Sequence, residues 1–119
     1  MEALNIFLIC PVRNSNEEIS KKIGEYVSEQ EKLGNTVHWP ERDTEQVDPS
    51  GGINICLTNC QAIKDADRVD VWWDPDSKGS LFDLGVAMAF DKIINIVNVV
   101  TPTEEKSFTN VLISMADYY

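Results

Sequence analysis

Four short apolar, β-prone runs alternate with stretches whose apolar residues recur every three or four positions, and few folds accept that alternation. Residues 4–10 form the first run, ended by Pro11, and residues 36–39 the second, ended by Pro40. In residues 68–73, Val69, Val71 and Trp73 alternate with polar Arg68 and Asp70, while residues 93–100 are nearly all β-branched and read as a fully buried strand. Between them, Ser15-Asn16-Glu17-Glu18 fits a capping box, followed by Ile19, Ile23, Tyr26, Val27 and Leu33 at helical spacing until Gly34-Asn35. Residues 53–65 place apolar positions on one helical face, and 80–90 read as a helix whose Gly85, Ala87 and Ala89 permit close packing. Phe108, Val111, Leu112 and Met115 make the stripe of a terminal helix.

Strand and helix therefore alternate four times, which calls for right-handed crossovers and a parallel sheet covered on both faces. The expected fold is α/β: a three-layer αβα sandwich, flavodoxin- or Rossmann-like, with a small parallel sheet of about four to five strands. Ligands of such sheets bind beyond the carboxyl ends of the strands, so residues 10–14, 39–52 and 74–83 should surround one pocket. Residues 41–52 are polar and acidic, with Pro49 and Gly51-Gly52, and read as a long excursion able to act as a lid. The length of 119 residues, 43% of them hydrophobic, fits one domain with one core spanning the whole chain, 1–119, and hence one principal site.

Charge narrows the partners. Twenty acidic against ten basic residues give a net charge of −10, a field that repels nucleic acid and anionic membranes. A small anion can still bind where backbone N–H groups and an arginine act locally, because salt limits the global field to about 10 Å. The cysteines Cys10, Cys56 and Cys60 are odd in number and lack C-x-x-C spacing, so no disulfide framework is expected. No metal is expected either: Cys56 and Cys60 could share one only with a third ligand, and the sole histidine, His38, lies in another segment. The opening carries Glu2 and no basic segment, and no stretch approaches the roughly 20 apolar residues of a membrane span. The expected compartment is the cytoplasm.

The strongest chemical signal is residues 74–85, a loop leading from a strand into a helix. Gly79 permits close approach to a ligand, the helix start offers free N–H groups, and the hydroxyls of Ser77 and Ser80 add hydrogen bonds, with Asp83 in the first turn. The same residues also fit a plain helix start, Ser80 capping and Asp83 as the N3 carboxylate, with no ligand involved. The segment His38-Trp39-Pro40-Glu41-Arg42-Asp43 follows the second strand and brings an imidazole and an indole near the pocket, where the aromatic could stack on a base or simply pack. Trp72 and Trp73 are adjacent in a strand and point to opposite faces, as core.

Taken in order, residues 6–13 (Ile6-Phe7-Leu8-Ile9-Cys10-Pro11-Val12-Arg13), Asn59-Cys60-Gln61-Ala62-Ile63 with Ala66-Asp67, and 79–85 before Ala87 resemble the nucleoside 2-deoxyribosyltransferase family, including its nucleotide N-glycosidase branch. The resemblance implies cleavage of an N-glycosidic bond, without a cofactor, by a glutamate that attacks or supports the anomeric carbon. That position holds Asp83, a carboxylate one methylene shorter, withdrawn by about 1.5 Å. The family's carboxylate on the preceding helix falls on Asn59, and the tyrosine that orients its nucleophile falls on Phe7. In the nucleotide branch an arginine after the first strand and a serine six residues before the carboxylate contact the 5′-phosphate, positions held by Arg13 and Ser77. Asp83 and Asn59 are thus the expected catalytic pair, and Phe7, Cys10, Pro11, Arg13, Ser77, Gly79 and Ser80 the expected substrate-binding set, which His38 and Trp39 join from their place after the second strand rather than from the resemblance. Family members also close each pocket with a neighbouring subunit's C-terminal segment, here within residues 108–119, with Asn110 and Met115 as candidates; this implies a homodimer or a larger homo-oligomer.

Two functions follow as expectations. One is an enzyme acting on a nucleoside, a deoxynucleoside or its 5′-monophosphate; the other is a nucleotide-binding sensor that keeps the fold and has lost the chemistry, as the changes at Asp83, Asn59 and Phe7 would allow. Arg13 is the sharpest discriminator available in the sequence, since its planar guanidinium either grips phosphate or pairs with Glu17 or Glu18. If it grips phosphate, Arg13→Ala weakens monophosphate binding by about 1.5–3 kcal/mol and leaves nucleoside binding unchanged in calorimetric titrations. Equal loss for both ligands would make Arg13 structural.

Overall fold

In the computed structural model, which describes residues 2–12 and 16–118, the chain runs β1 (Asn5–Ile9), α1 (Glu17–Lys32), β2 (Thr36–His38), α2 (Pro40–Asp43), α3 (Ile53–Asp65), β3 (Arg68–Val71), α4 (Lys78–Ala89), β4 (Ile94–Ile96) and α5 (Phe108–Tyr118). The four strands pair in parallel in the order β2-β1-β3-β4, the flavodoxin-like arrangement of an α/β sandwich. The chain leaves β1 in one direction to reach β2 and later crosses back over β1 to β3. Right-handed crossovers then require α1 on one face of the sheet and α3 and α4 on the other.

Strand alternation sorts the core accordingly. Phe7, Ile9, Val69, Val71, Trp73 and Ile94 point to the α3/α4/α5 face, where they meet Ile63, Leu84, Ala87 and Leu112. Ile6, Leu8 and Cys10 point the other way, against Ile23 and Val27 of α1 and Val37. Trp73 joins the first cluster and Trp72 the second, as their adjacency requires. On the second face, register places Arg68 and Asp70 beside Ile6 and Leu8. Asp70 is fully buried, and the Arg68 guanidinium forks onto it at 2.7 and 3.1 Å, favouring the ionised carboxylate against the cost of burial.

Helix ends differ from the sequence expectation in instructive ways. The N-cap of α1 is Asn16, whose side-chain oxygen accepts the Ile19 N–H at 2.8 Å; Ser15, expected to cap, lies outside the described residues. Helix α4 starts at Lys78, two residues earlier than expected, because Ser77 rather than Ser80 is its cap. Gly85 has open space where a Cβ would sit and Ala89 is exposed, so of the three small residues only Ala87 packs closely.

The last strand corrects the reading of residues 93–100 as fully buried. Only Ile94–Ile96 pair; β4 is an edge strand, Asn95 is exposed, and Val99 is 95% exposed. The Val97 N–H makes the last backbone bond, to Val71 O at 2.9 Å. Beyond it the Asn98 amide substitutes for a strand, accepting from Trp73 N at 2.8 Å and donating to Trp73 O at 2.9 Å. Asn98→Ala leaves both backbone groups of buried Trp73 without these partners and should cost about 1–3 kcal/mol in urea unfolding, against less than about 0.5 kcal/mol for Val99→Ala. Equal stability of the two variants would remove Asn98 from this role.

Candidate active site

Strand β1 lies between β2 and β3 at the point where the chain reverses direction, the place at which sheets of this kind take a ligand in the crevice beyond the strands' carboxyl ends. Residues leaving β1 (Cys10, Pro11), those leaving β2 (His38 to Thr44) and the start of α4 converge on it, with α3 supplying Asn59.

Asp83 sits in the second turn of α4 and is 7% exposed. Burial raises its carboxyl from the ordinary range to about 7, and a side-chain hydrogen bond from Asn59 pulls the other way. Asn59 is equally buried, and its Oδ1 accepts from the Thr44 hydroxyl at 2.8 Å. Thr44, 4% exposed, also meets His38 Nε2 at 2.8 Å. The His38 ring stacks on Phe7, centroids 5.3 Å apart and planes 13° from parallel. A hydrogen-bond chain thus joins His38, Thr44 and Asn59, and the Asn59 amide in turn favours the ionised form of Asp83. Thr44 is the member that sequence reasoning missed: a lone threonine in a polar run carries no motif, and only the fold brings it beneath Asn59.

At the helix start, the Ser77 hydroxyl accepts the Ser80 N–H at 3.3 Å, leaving the first-turn amides of Lys78 and Gly79 without partners among the described residues. Gly79 is exposed, and a Cβ there would meet nothing. The Ser80 hydroxyl is buried and has no hydrogen-bond partner among the described residues. Free amides, an accessible backbone and an unused hydroxyl together suit an anion.

Several expected site residues are placed differently. Phe7 is fully buried beneath His38, so it supports that ring and cannot touch a ligand from the crevice. Cys10 is 5% exposed in the α1-side core; burial pushes its thiol up to about 12, Glu41 adding to the effect, and it is no nucleophile at neutral pH. Trp39 lies against α1, where a Cβ on Gly24 would meet its ring at 3.5 Å, and Arg42 sits 5.9 Å from its ring centroid. It packs there rather than standing free to stack on a base. Arg42 and Asp43 form a forked pair at 2.8 and 2.9 Å, Arg42 also reaches Glu31, and Asp43 accepts the Trp39 N–H. The charges of that segment thus brace α2 against β2 and α1. Pro11 is buried at the end of β1, and Arg13 lies outside the described residues.

Asn110 and Met115 are not brought to Asp83 within this chain. They line a hollow of about 530 Å³ between α5 and the far end of α4, with Met88, Lys92 and Val111. The Asn110 amide is committed to its own loop, accepting from Thr103 N and donating to Thr103 O and Glu105 O. Among the described residues no three histidine, cysteine or acidic side chains gather to hold a metal, and no helix is long and apolar enough to cross a membrane.

No protein-family model and no curated protein matches the sequence. Solved structures do. The CMP N-glycosidase BcmB of Clostridium botulinum superposes with a TM-score of 0.54 and 25% identity over 76% of this chain. A 2-deoxyribosyltransferase from Bacillus psychrosaccharolyticus superposes with a TM-score of 0.64 and 23% identity over 85% of it. The chain spans 66% of the former, just under two thirds, and 74% of the latter. It therefore has the fold of nucleoside-cleaving and nucleoside-transferring enzymes.

Burial of Asp83 also fixes a pH dependence of stability. The folded protein holds the Asp83 proton up to about 7 whereas the ordinary value is 3.8, so the favourable contribution is complete below about 4 and is lost as pH rises to about 7. Asp83→Asn, neutral throughout, should gain on the wild type by up to about 1.4 kcal/mol per pH unit across that window in urea unfolding. Parallel pH profiles for the two proteins would show that Asp83 is not so desolvated.

Proposed function

We propose that this chain is a single-domain enzyme that cleaves or transfers the N-glycosidic bond of a nucleoside, a deoxynucleoside or its 5′-monophosphate. The observation that carries the reading is a buried carboxylate, Asp83, set against Asn59 at the strand-end crevice of a fold shared with an N-glycosidase. Ionised Asp83 attacks or electrostatically supports C1′ while the C1′–N bond breaks and the base departs with the electron pair, taking a proton from solvent. Water, or a second base, then attacks C1′ and frees the carboxylate. The amides of Lys78 and Gly79, with Ser77 and Ser80, supply an anion cradle for a 5′-phosphate, and Arg13, four residues after β1 in the sequence, is the guanidinium proposed to join them.

Assembly as a homodimer or larger oligomer fits the exposure of Phe82, Met88 and Phe108 on α4 and α5, and would bring another subunit's α5 to the pocket. The second reading, a nucleotide-binding module without turnover, is favoured by one specific observation: Asp83 holds a proton up to about 7, and a protonated carboxyl is no nucleophile.

Incubation with ribo- and deoxyribonucleoside 5′-monophosphates, alone and with a second free base, followed by chromatography, should release or exchange base. The rate should rise with pH through about 7 as Asp83 ionises and level off above it. Asp83→Asn should abolish turnover while ligand affinity stays within a few-fold. Turnover unchanged in that variant would end the catalytic role, and saturable binding without turnover in the wild type would establish the module.

A further inference from the structure

We infer that Thr44 and His38 are positioning residues for the Asp83 carboxylate: through a one-directional hydrogen-bond chain they lock the Asn59 amide with its N–H side toward Asp83. This rests on the proposed role of Asp83 and extends it to residues outside the resemblance.

The direction follows from counting donors. An ionised carboxylate only accepts, so the Asn59 group facing it must be the NH₂, which leaves Oδ1 to point at Thr44. The single hydroxyl proton of Thr44 is then spent on Asn59 at 2.8 Å, and its oxygen can only accept from the other side. The group on that side is His38 Nε2, also at 2.8 Å, which must carry a proton. His38 is therefore the Nε2–H tautomer while Asp83 is ionised. Each member is held: Thr44 and Asn59 are buried, and the imidazole is clamped by its stack on Phe7.

The chain survives protonation of His38. The cation adds a proton at Nδ1 and still donates from Nε2, and burial, opposed by Asp43 and aided by Arg42, keeps the ring neutral to lower pH than usual. Asp83 has Asn59 of α3 beside it, and its charge reaches the thiols of Cys10 and Cys60, which burial, the largest influence on each, keeps protonated and uncharged. Among the described residues, the Asn59 amide is the influence that favours the ionised form of Asp83.

Two NMR readouts on the free protein test this without substrate. His38 is the only histidine, so its tautomer is read from the ring ¹⁵N shifts without ambiguity. Wild type at pH 8.5 should show protonated Nε2; protonated Nδ1 would overturn the proposal. Carboxyl ¹³C titration, with Asp83→Asn for assignment, gives the Asp83 midpoint. Thr44→Val, which keeps shape and loses the hydroxyl, should raise that midpoint by roughly half to one pH unit and abolish the tautomer preference. Thr44→Ser should restore both. A folded Thr44→Val with unchanged midpoint and tautomer would overturn the proposal. Should Thr44→Val not fold, His38→Gln, which offers an amide N–H to Thr44, should keep the wild-type midpoint while His38→Phe raises it; identical midpoints in the two would equally overturn it. Absence of turnover alongside the expected NMR shifts would defeat the enzyme reading alone.

Discussion

The position of β1, paired on both edges and covered on both faces, is the constraint from which the rest follows. Five residues, four of them buried, must satisfy two parallel partners and feed two cores at once. Phe7 and Ile9 serve one face, Ile6 and Leu8 the other. A register slip by one residue would exchange those sets, placing Phe7 beneath α1 and separating it from His38. Because β2 and β3 flank β1, the chain ends emerging from all three strands meet on one side of the sheet. The site is a consequence of that meeting.

At that edge two physical demands conflict. The sheet's close packing draws the start of α4 and the middle of α3 inward, burying Asp83 and Asn59 to the same extent. A carboxylate so placed loses hydration that a single amide does not replace, so its charge is costly near neutrality. A structural carboxylate in that position would ordinarily find a cation, as Asp70 finds Arg68 on the opposite face. No described residue supplies Asp83 with one; it lies instead beside Asn59, from which an uncharged hydrogen-bond chain runs through Thr44 to an imidazole. Such tolerance of an unfavourable group fits a site that uses it.

The fold was legible because its signals are short-range and redundant. Proline and glycine end the first two strands and the first helix, and the alternation of Val69, Val71 and Trp73 against Arg68 and Asp70 describes a strand with one apolar and one polar face. The extent of β4 was not legible, since β-branched residues at 97–100 fit a buried strand as well as an edge, and the bond that ends pairing comes from the Asn98 side chain. At the site, position along the chain identified the elements that converge but not which side chains point outward. Phe7 and Trp39 belong to the packing because their elements run beneath the crevice, and Thr44 belongs to the polar chain because α2 is a single short turn. No pattern within ten residues of Thr44 encodes that contact; it depends on α3 lying against β1.

The shorter acid at position 83 can be weighed on the same physical terms. A missing methylene withdraws the carboxylate by about 1.5 Å, and a reacting group displaced by about 1 Å can lose on the order of 10²-fold in rate. A flexible loop would make the deficit hard to recover. Asp83, however, sits on a helix whose start is fixed by the Ser77 cap and whose buried side is fixed by Leu84 and Ala87. On so rigid an element the reach of the side chain is set by where the sugar lies, and the sugar is set by whatever holds its far end. An anion at Lys78 and Gly79 would be gripped one turn away from Asp83 on the same helix, making the distance between phosphate anchor and carboxylate a property of α4 alone. For the proposed reaction, a short acid on a shared rigid anchor would thus favour a substrate tethered by its 5′-phosphate over a free nucleoside.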